Sequence, residues 1–241
     1  MVNLLYFSIF RKIVVDSRSR SLNVGVVGKT QTGKSTYVKK FSDEFLRVKN
    51  LLYPKQWKET EWDHEKYCAK NFAHFVELVD TNDFAVIVIE EAGFSLGNMD
   101  YNTVISQIFG KIIMTQAYKR NLYIICLPHL LQFVKQHRFI LDFMFVMRGK
   151  NEAKKEAFIM PQMIRRDYWK IKDDSARQIF YPPMRFRYTK DELKRSKEFI
   201  EYLKLFKKDI LKDLRLELSG YNPRKRMSRR NFPNYYKDLI D

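Results

Sequence analysis

Short, largely apolar runs alternate along the chain with longer stretches whose apolar positions recur every three or four residues. Leu22–Val27 (LNVGVV), Phe84–Ile89 (FAVIVI), Leu122–Leu127 (LYIICL) and Phe143–Met147 (FMFVM) are of the first kind. They predict strands buried on both faces of a sheet. Ser35 to about Val48, Asp63 to about Leu78 and Tyr101 to Tyr118 are of the second kind and predict helices; Tyr67, Phe72, Phe75 and Val76 carry the spacing in the middle one. This alternation predicts an α/β domain over residues 1–150, a mostly parallel central sheet flanked by helices. Past Gly149 the grammar changes. Ala157–Ile164, Tyr168–Ile171 and Gln178–Tyr181 are short β-prone pieces, broken by charges and by Pro182-Pro183. Thr189-Lys190-Asp191-Glu192 then reads as a capping box, opening a helix to about Leu218 with Leu193, Phe199, Leu203, Phe206 and Ile210 on one face. Residues 151–241 thus read as a small β-prone and helical, basic C-terminal appendage.

Composition adds the question of partners. With 241 residues, 45% hydrophobic and 30% charged, the chain can bury a real core. Its 45 Lys and Arg against 28 Asp and Glu leave a net +17, a surplus that calls for an anionic partner such as nucleic acid or an anionic membrane. Over residues 185–230 there are 16 Lys and Arg against 7 Asp and Glu, so half of the excess lies there. The helix in that span mixes signs and reads as a solvated face. The tail, with Arg224, Lys225, Arg226, Arg229 and Arg230 among Tyr221, Phe232, Tyr235 and Tyr236, is the candidate for sequence-independent contact with DNA. Cys68 and Cys126 lie far apart, and with His64, His74, His129 and His137 they show no zinc-type spacing. No apolar run reaches the roughly 18 residues of a membrane span. The opening Met1–Phe10 lacks the basic segment and cleavage site of a signal peptide. The expectation is a soluble protein of a reducing, cytoplasmic compartment with no integral membrane contact.

Gly28-Lys29-Thr30-Gln31-Thr32-Gly33-Lys34-Ser35 fits G-x-x-x-x-G-K-[ST], after an expected strand and before an expected helix. The glycines let successive backbone N–H groups turn toward a phosphate, and the following helix adds its positive end. Lys34 would reach the β- and γ-phosphates, the Ser35 hydroxyl would ligate Mg²⁺, and Thr36 follows within the same turn. Glu90-Glu91 come directly after the apolar run Phe84–Ile89, at the strand end that faces the ligand crevice of a doubly wound sheet. One carboxylate there, Glu90, can hold Mg²⁺ through water; its neighbour Glu91 can orient and deprotonate an attacking water.

The Gly28–Ser35 loop, the Phe84–Glu91 strand with its double acid and the strand–helix–strand segment to Arg148 resemble an additional-strand P-loop NTPase of RecA-like fold. The nearest match is the FtsK/HerA superfamily of DNA translocases and viral genome-packaging ATPases, over about residues 22–149. That resemblance implies ATP and Mg²⁺ as cofactors, duplex DNA as a partner, a ring, typically a hexamer, and a possible place in a capsid or transfer complex. It also implies an arginine finger reaching the adjacent subunit, for which Arg138 and Arg148 are the candidates. Two departures stand out. Glu90 occupies the place usually held by Asp. Where the strand Leu122–Leu127 would end in a γ-phosphate-sensing Gln, Pro128-His129 follows, so His129 either takes over that task or is a loop histidine without one. Two further readings remain open: a P-loop kinase, which the second acid argues against, and a nucleotide switch in virion or transfer-complex assembly, similar to the zonula occludens toxin type.

Overall fold

The computed structural model describes residues 7–29, 32–70, 72–90, 110–112, 115–129, 140–151, 153–165 and 177–219. The elements follow in the order α1 (Ser8–Asp16), β1 (Leu22–Val27), α2 (Lys34–Leu52), α3 (His64–Tyr67), β2 (Cys68–Ala69), α4 (Phe72–Thr81), β3 (Val86–Ile89), β4 (Leu122–Leu127), β5 (Phe143–Asn151), β6 (Glu156–Arg165), β7 (Arg177–Phe180), β8 (Met184–Arg187) and α5 (Lys190–Ser219). Among the described residues eight strands form one sheet in the order β2-β3-β4-β1-β5-β6-β7, with β8 also paired to β6. The strands from β2 through β5 are mutually parallel, and β6 turns antiparallel against β5. The fold is thus mixed α/β with a mostly parallel central sheet flanked by helices, the RecA-like P-loop NTPase arrangement. β4 lies between the phosphate-loop strand β1 and the acidic strand β3, which is the inserted strand of the additional-strand class.

The core sits between the sheet and α2. Tyr37, Phe41 and Phe45 recur every four residues on α2 and are buried. Phe41 meets Phe10 of α1 edge-on at 5.4 Å and Phe145 of β5 at 5.4 Å. Trp57 and Trp62, in a loop with no readable pattern, are both buried core residues. Trp57 lies edge-on to Phe45, and the Trp62 indole N–H donates to the Val86 carbonyl at 2.8 Å. A buried indole needs such a partner, and this one pins the loop to β3.

One expected element needs correcting. The helix expected from Asp63 to about Leu78 is broken in two, because Cys68 and Ala69 pair in parallel with Val88 and Ile89 as the edge strand β2. Tertiary pairing overrides the helical spacing there. Asp63 still begins the first piece, its carboxylate accepting from the backbone N–H groups of Glu65 (2.9 Å) and Lys66 (3.3 Å). The opening segment holds a helix, α1, whose Ile9, Phe10, Ile13 and Val14 are buried. The boundary expected at residue 150 falls inside β5, and the same sheet continues through β6, β7 and β8. The compact unit that contains the sheet spans Met1–Tyr202; the second, Leu203–Asp241, is described over residues 203–219, which are helical. Of the helix expected from Tyr101 to Tyr118, residues 110–112 and 115 are helical and a 3₁₀ turn at Gln116–Lys119 follows; the remainder, like the strand expected at Tyr168–Ile171, lies outside the described residues. Among the described residues no helix is long and apolar enough to cross a membrane.

Candidate functional site

The parallel register brings the carboxyl ends of four strands to one edge. Val27 of β1 stands opposite Leu127 of β4 and Val146 of β5, and Ile89 of β3 stands opposite Ile125 of β4. The loop leaves β1 at this edge. The Gly28 N–H donates to the Leu127 carbonyl at 3.1 Å, tying the start of the loop to the end of β4. A Cβ on Gly28 would lie 2.8 Å from Met147 Cβ and 2.8 Å from Thr32 Oγ1, so the loop's close passage over β5 requires glycine. Thr32 tightens the turn, its hydroxyl donating to the Lys29 carbonyl at 2.8 Å. Gly33 stands at φ 88°, ψ 23°, a left-handed conformation that favours glycine, and from it α2 begins.

The first turn of α2 holds no acidic residue, and no side chain caps Gly33. Its amides face the crevice end of a helix 19 residues long, where an anion finds both donors and a favourable dipole. The Lys34 ammonium donates to the carbonyls of Gly28 (2.5 Å) and Lys29 (3.0 Å), so it is folded over its own loop. Ser35 and Thr36 follow in the same turn and are half-exposed; Lys29 is exposed. Thr30 and Gln31 lie outside the described residues.

Glu90 comes directly after β3 and is buried. The two cysteines flank it from the neighbouring strands. Its backbone N–H bonds the Cys68 sulfur of β2, and the Cys126 thiol of β4 bonds its carboxylate. Burial pushes both thiols above their ordinary range, and the Glu90 charge pushes them further, while the Lys34 ammonium pulls Cys126 back down. Lys34, Cys126 and Glu90 therefore share one electrostatic neighbourhood. Read from the sequence, the cysteines have no such role, because Cys126 sits in an uninterrupted apolar run and reads as core. The one available signal was position: strands in register with the acidic strand end at this edge. Among the described residues no group of three or more His, Cys, Asp or Glu could hold a metal ion. A cation here would draw on Ser35, Glu90 and its ligand's own phosphate oxygens.

His129 lies two residues past β4, exposed, at the same edge. Arg148 lies in β5 next to Met147, the residue that touches Gly28; it is exposed and its Nε donates to the Met160 sulfur. Glu91, Arg138 and the tail residues Arg224, Lys225, Arg226, Arg229 and Arg230 lie outside the described residues. The structure thus brings the loop, Lys34, Ser35 and Glu90 to one edge, with His129 just past the neighbouring strand β4 and Arg148 in β5.

Loop and sheet together define a P-loop NTPase fold. No protein-family model matches the chain, and no curated protein matches it with significant sequence similarity. Solved structures resemble it at low identity. The genome-packaging NTPase B204 of Sulfolobus turreted icosahedral virus 2, in complex with AMPPCP, is 12% identical at a TM-score of 0.43, with 68% of this chain and 98% of that one covered. The N-terminal domain of zonular occludens toxin from Neisseria meningitidis is 10% identical at a TM-score of 0.35, covering 68% and 94%. A KaiC-like protein from Pyrococcus horikoshii is 16% identical at a TM-score of 0.34, covering 67% and 89%.

Proposed function

We propose that the protein is an ATP-hydrolysing DNA translocase of the FtsK/HerA type that packages or transfers a viral or plasmid genome. The observation that carries this reading is the placement of the glycine-built loop at the end of β1 and of Glu90 at the end of β3, with β4 inserted between them. A kinase needs the loop but has no use for a second acid beside the metal's, and here Glu91 follows Glu90. The +17 surplus supports DNA over a small acceptor as the partner.

The site's residues fit a nucleoside triphosphate with Mg²⁺. The α2 amides and the loop backbone bind the phosphates. Lys34 exchanges the carbonyls of Gly28 and Lys29 for phosphate oxygens. Ser35 and Glu90 would hold the ion, which neutralises charge on the phosphates when bound. Glu91 accepts the proton of the attacking water, and His129 orients the γ-phosphate end through an imidazole nitrogen. Subunits form a ring, a hexamer, in which Arg138 or Arg148 of one subunit completes the site of the next. The tail Arg224–Arg230 contacts DNA phosphates.

The test is ATP hydrolysis with and without duplex DNA across a salt series. The expected result is stimulation that fades as salt rises, loss of hydrolysis and of nucleotide binding in Lys34→Ala, and loss of hydrolysis with binding retained in Glu91→Gln. Hydrolysis indifferent to DNA would sink the translocase reading; an active Glu91→Gln would remove that residue as the base.

A further inference from the structure

Apart from Met160, whose sulfur accepts from Arg148, the antiparallel extension of the sheet has no part in the nucleotide site described above. β7 and β8 both pair with β6 and run in the same direction along it, so they are two halves of one edge strand interrupted at Tyr181-Pro182-Pro183. Directly paired residues share a face. Phe158 with Arg185, Glu156 with Arg187, and Gln162 with Phe180 therefore lie on one side of the sheet, where the β6 residues Glu156 and Gln162 are buried and the arginines and Phe180 of the edge strand are exposed; Ala157, Ile159 and Met184 are buried on the other side. That side is exposed at its arginines. Arg187 is 74% exposed while its Nε donates to Glu156 at 2.8 Å. The exposed Arg185 guanidinium lies over the Phe158 ring, its carbon 4.3 Å from the ring centre. The turn leading into β6 adds exposed Lys154 and Lys155. The hydrogen bond from Arg187 and then the charges of Arg187, Arg185 and Lys154 hold the Glu156 carboxyl below its ordinary value, so one acid sits in a field of several cations. Phe180, 60% exposed, stands about 13 Å along the strand from Phe158, a bare ring on a basic surface.

We propose that this outward face of β6, β7 and β8 binds a single-stranded nucleic acid, with Arg185, Arg187, Lys154 and Lys155 on its phosphates and Phe180 stacked on a base. Charge complementarity selects a polyanion. The open aromatic ring selects one with unpaired bases, because duplex bases offer no free face to a sheet surface. Arg185, already stacked and ordered, loses little side-chain entropy on contact, so the surface is built for binding before its partner arrives. The proposal goes beyond the translocase reading, in which the tail contacts the duplex; the surface stands without hydrolysis.

The test is fluorescence anisotropy of the full chain with labelled oligo(dT) of about 20 nucleotides, longer than the roughly 4–16 that one small domain covers. Oligo(U) and a duplex of equal length are the other arms, across a salt series. Arg185→Gln/Arg187→Gln is expected to weaken oligo(dT) binding at least about tenfold and to reduce the log–log salt slope by about 1.4, the share of two single-strand phosphates. Phe180→Ala is expected to weaken it roughly tenfold with the salt slope unchanged, the mark of stacking over charge. Oligo(U) bound as well as oligo(dT) supports a grip on any single strand, and tenfold weaker binding narrows it to DNA. All three substitutions lie on the surface, and retained binding of a fluorescent ATP analogue reports that the loop is intact. Variants that bind oligo(dT) like wild type, or that lose duplex binding to the same extent as oligo(dT) binding, overturn the proposal. Loss of ATP hydrolysis in the wild type with this binding intact overturns the translocase reading alone.

Discussion

The side chain of Lys49 is buried at the end of α2, and its ammonium lies 4.8, 5.1 and 5.9 Å from the ring centres of Tyr53, Trp57 and Phe45. Its hydrogen bond is to the Val14 carbonyl at 3.3 Å. Three aromatic faces replace much of the lost water, but not all of it. Burial first, then the charges of Arg18 and Arg120, lower its pKa from 10.5 to about 8. Between about pH 8 and 10.5 the unfolded chain therefore binds more protons than the folded one at this site, and the site's contribution to stability rises with pH across that window. Below it the penalty of the buried charge is fully present. Lys49→Met, similar in length and uncharged, is expected to raise the urea midpoint at neutral pH. Its advantage over wild type should shrink as pH rises through the window. The wild-type–variant difference is the quantity to follow, because the buried thiols and Tyr37 and Tyr188, whose pKa values burial raises, oppose the trend in both proteins. An advantage constant with pH would show that Lys49 does not titrate in the folded state.

At the scale of elements, α5 is joined to α2 by charge. Thr189 and Glu192 form the reciprocal capping box expected from their spacing: Thr189 N–H donates to Glu192 Oε2 at 2.8 Å, and Glu192 N–H to Thr189 Oγ1 at 3.2 Å. The other Glu192 oxygen accepts from the Lys40 ammonium, whose side chain is 2% exposed. Burial raises the Glu192 pKa, but the bonds from Lys40 and Thr189 outweigh it, and the net direction is down. Stability from this site is thus present above the ordinary carboxyl pKa and is lost as pH falls through the lowered one. Thr189→Ala is expected to cost about 1 kcal/mol, the worth of a cap. Glu192→Gln is expected to cost more, about 3–5 kcal/mol, by removing the negative charge opposite the buried Lys40 ammonium. Equal losses in denaturant melts would mean the ion pair adds nothing to the cap. The box was legible in the sequence because both its partners lie within four residues. So were Leu22–Val27 and Leu122–Leu127, whose largely apolar runs lie at the centre of the sheet. β2 was not, since two residues become a strand only by pairing with Val88 and Ile89. Nor were Trp57 and Trp62, whose partners on α2 and β3 are set by the tertiary fold. The same holds for the cysteines at Glu90: spacing along the chain carries no trace of neighbours across strands.

At the scale of the whole molecule, the open question is whether one chain is a complete enzyme. β5 passes Met147 beneath Gly28 and turns Arg148 outward, where Met160 supports it, so Arg148 leaves the sheet beside the loop and faces solvent. An arginine so placed can act on its own chain's phosphates or on those of an adjacent copy, and subunit mixing distinguishes the two. In the ring proposed above, Arg148→Ala alone is expected to lower kcat by about 10³ or more, the usual worth of a finger, with little change in nucleotide affinity. Lys34→Ala alone is expected to lose nucleotide binding. Mixed, a Lys34→Ala subunit still carries Arg148 and can serve a neighbouring Arg148→Ala site whose loop is intact. Hydrolysis should then reappear at mixed interfaces, rising with total protein concentration and peaking near equal amounts of the two. A chain that uses Arg148 on its own site gives no recovery at any ratio, since neither partner then holds both groups. Recovery absent while Arg148→Ala alone is inactive would place the arginine in its own site and leave Arg138 to be tested by the same mixing.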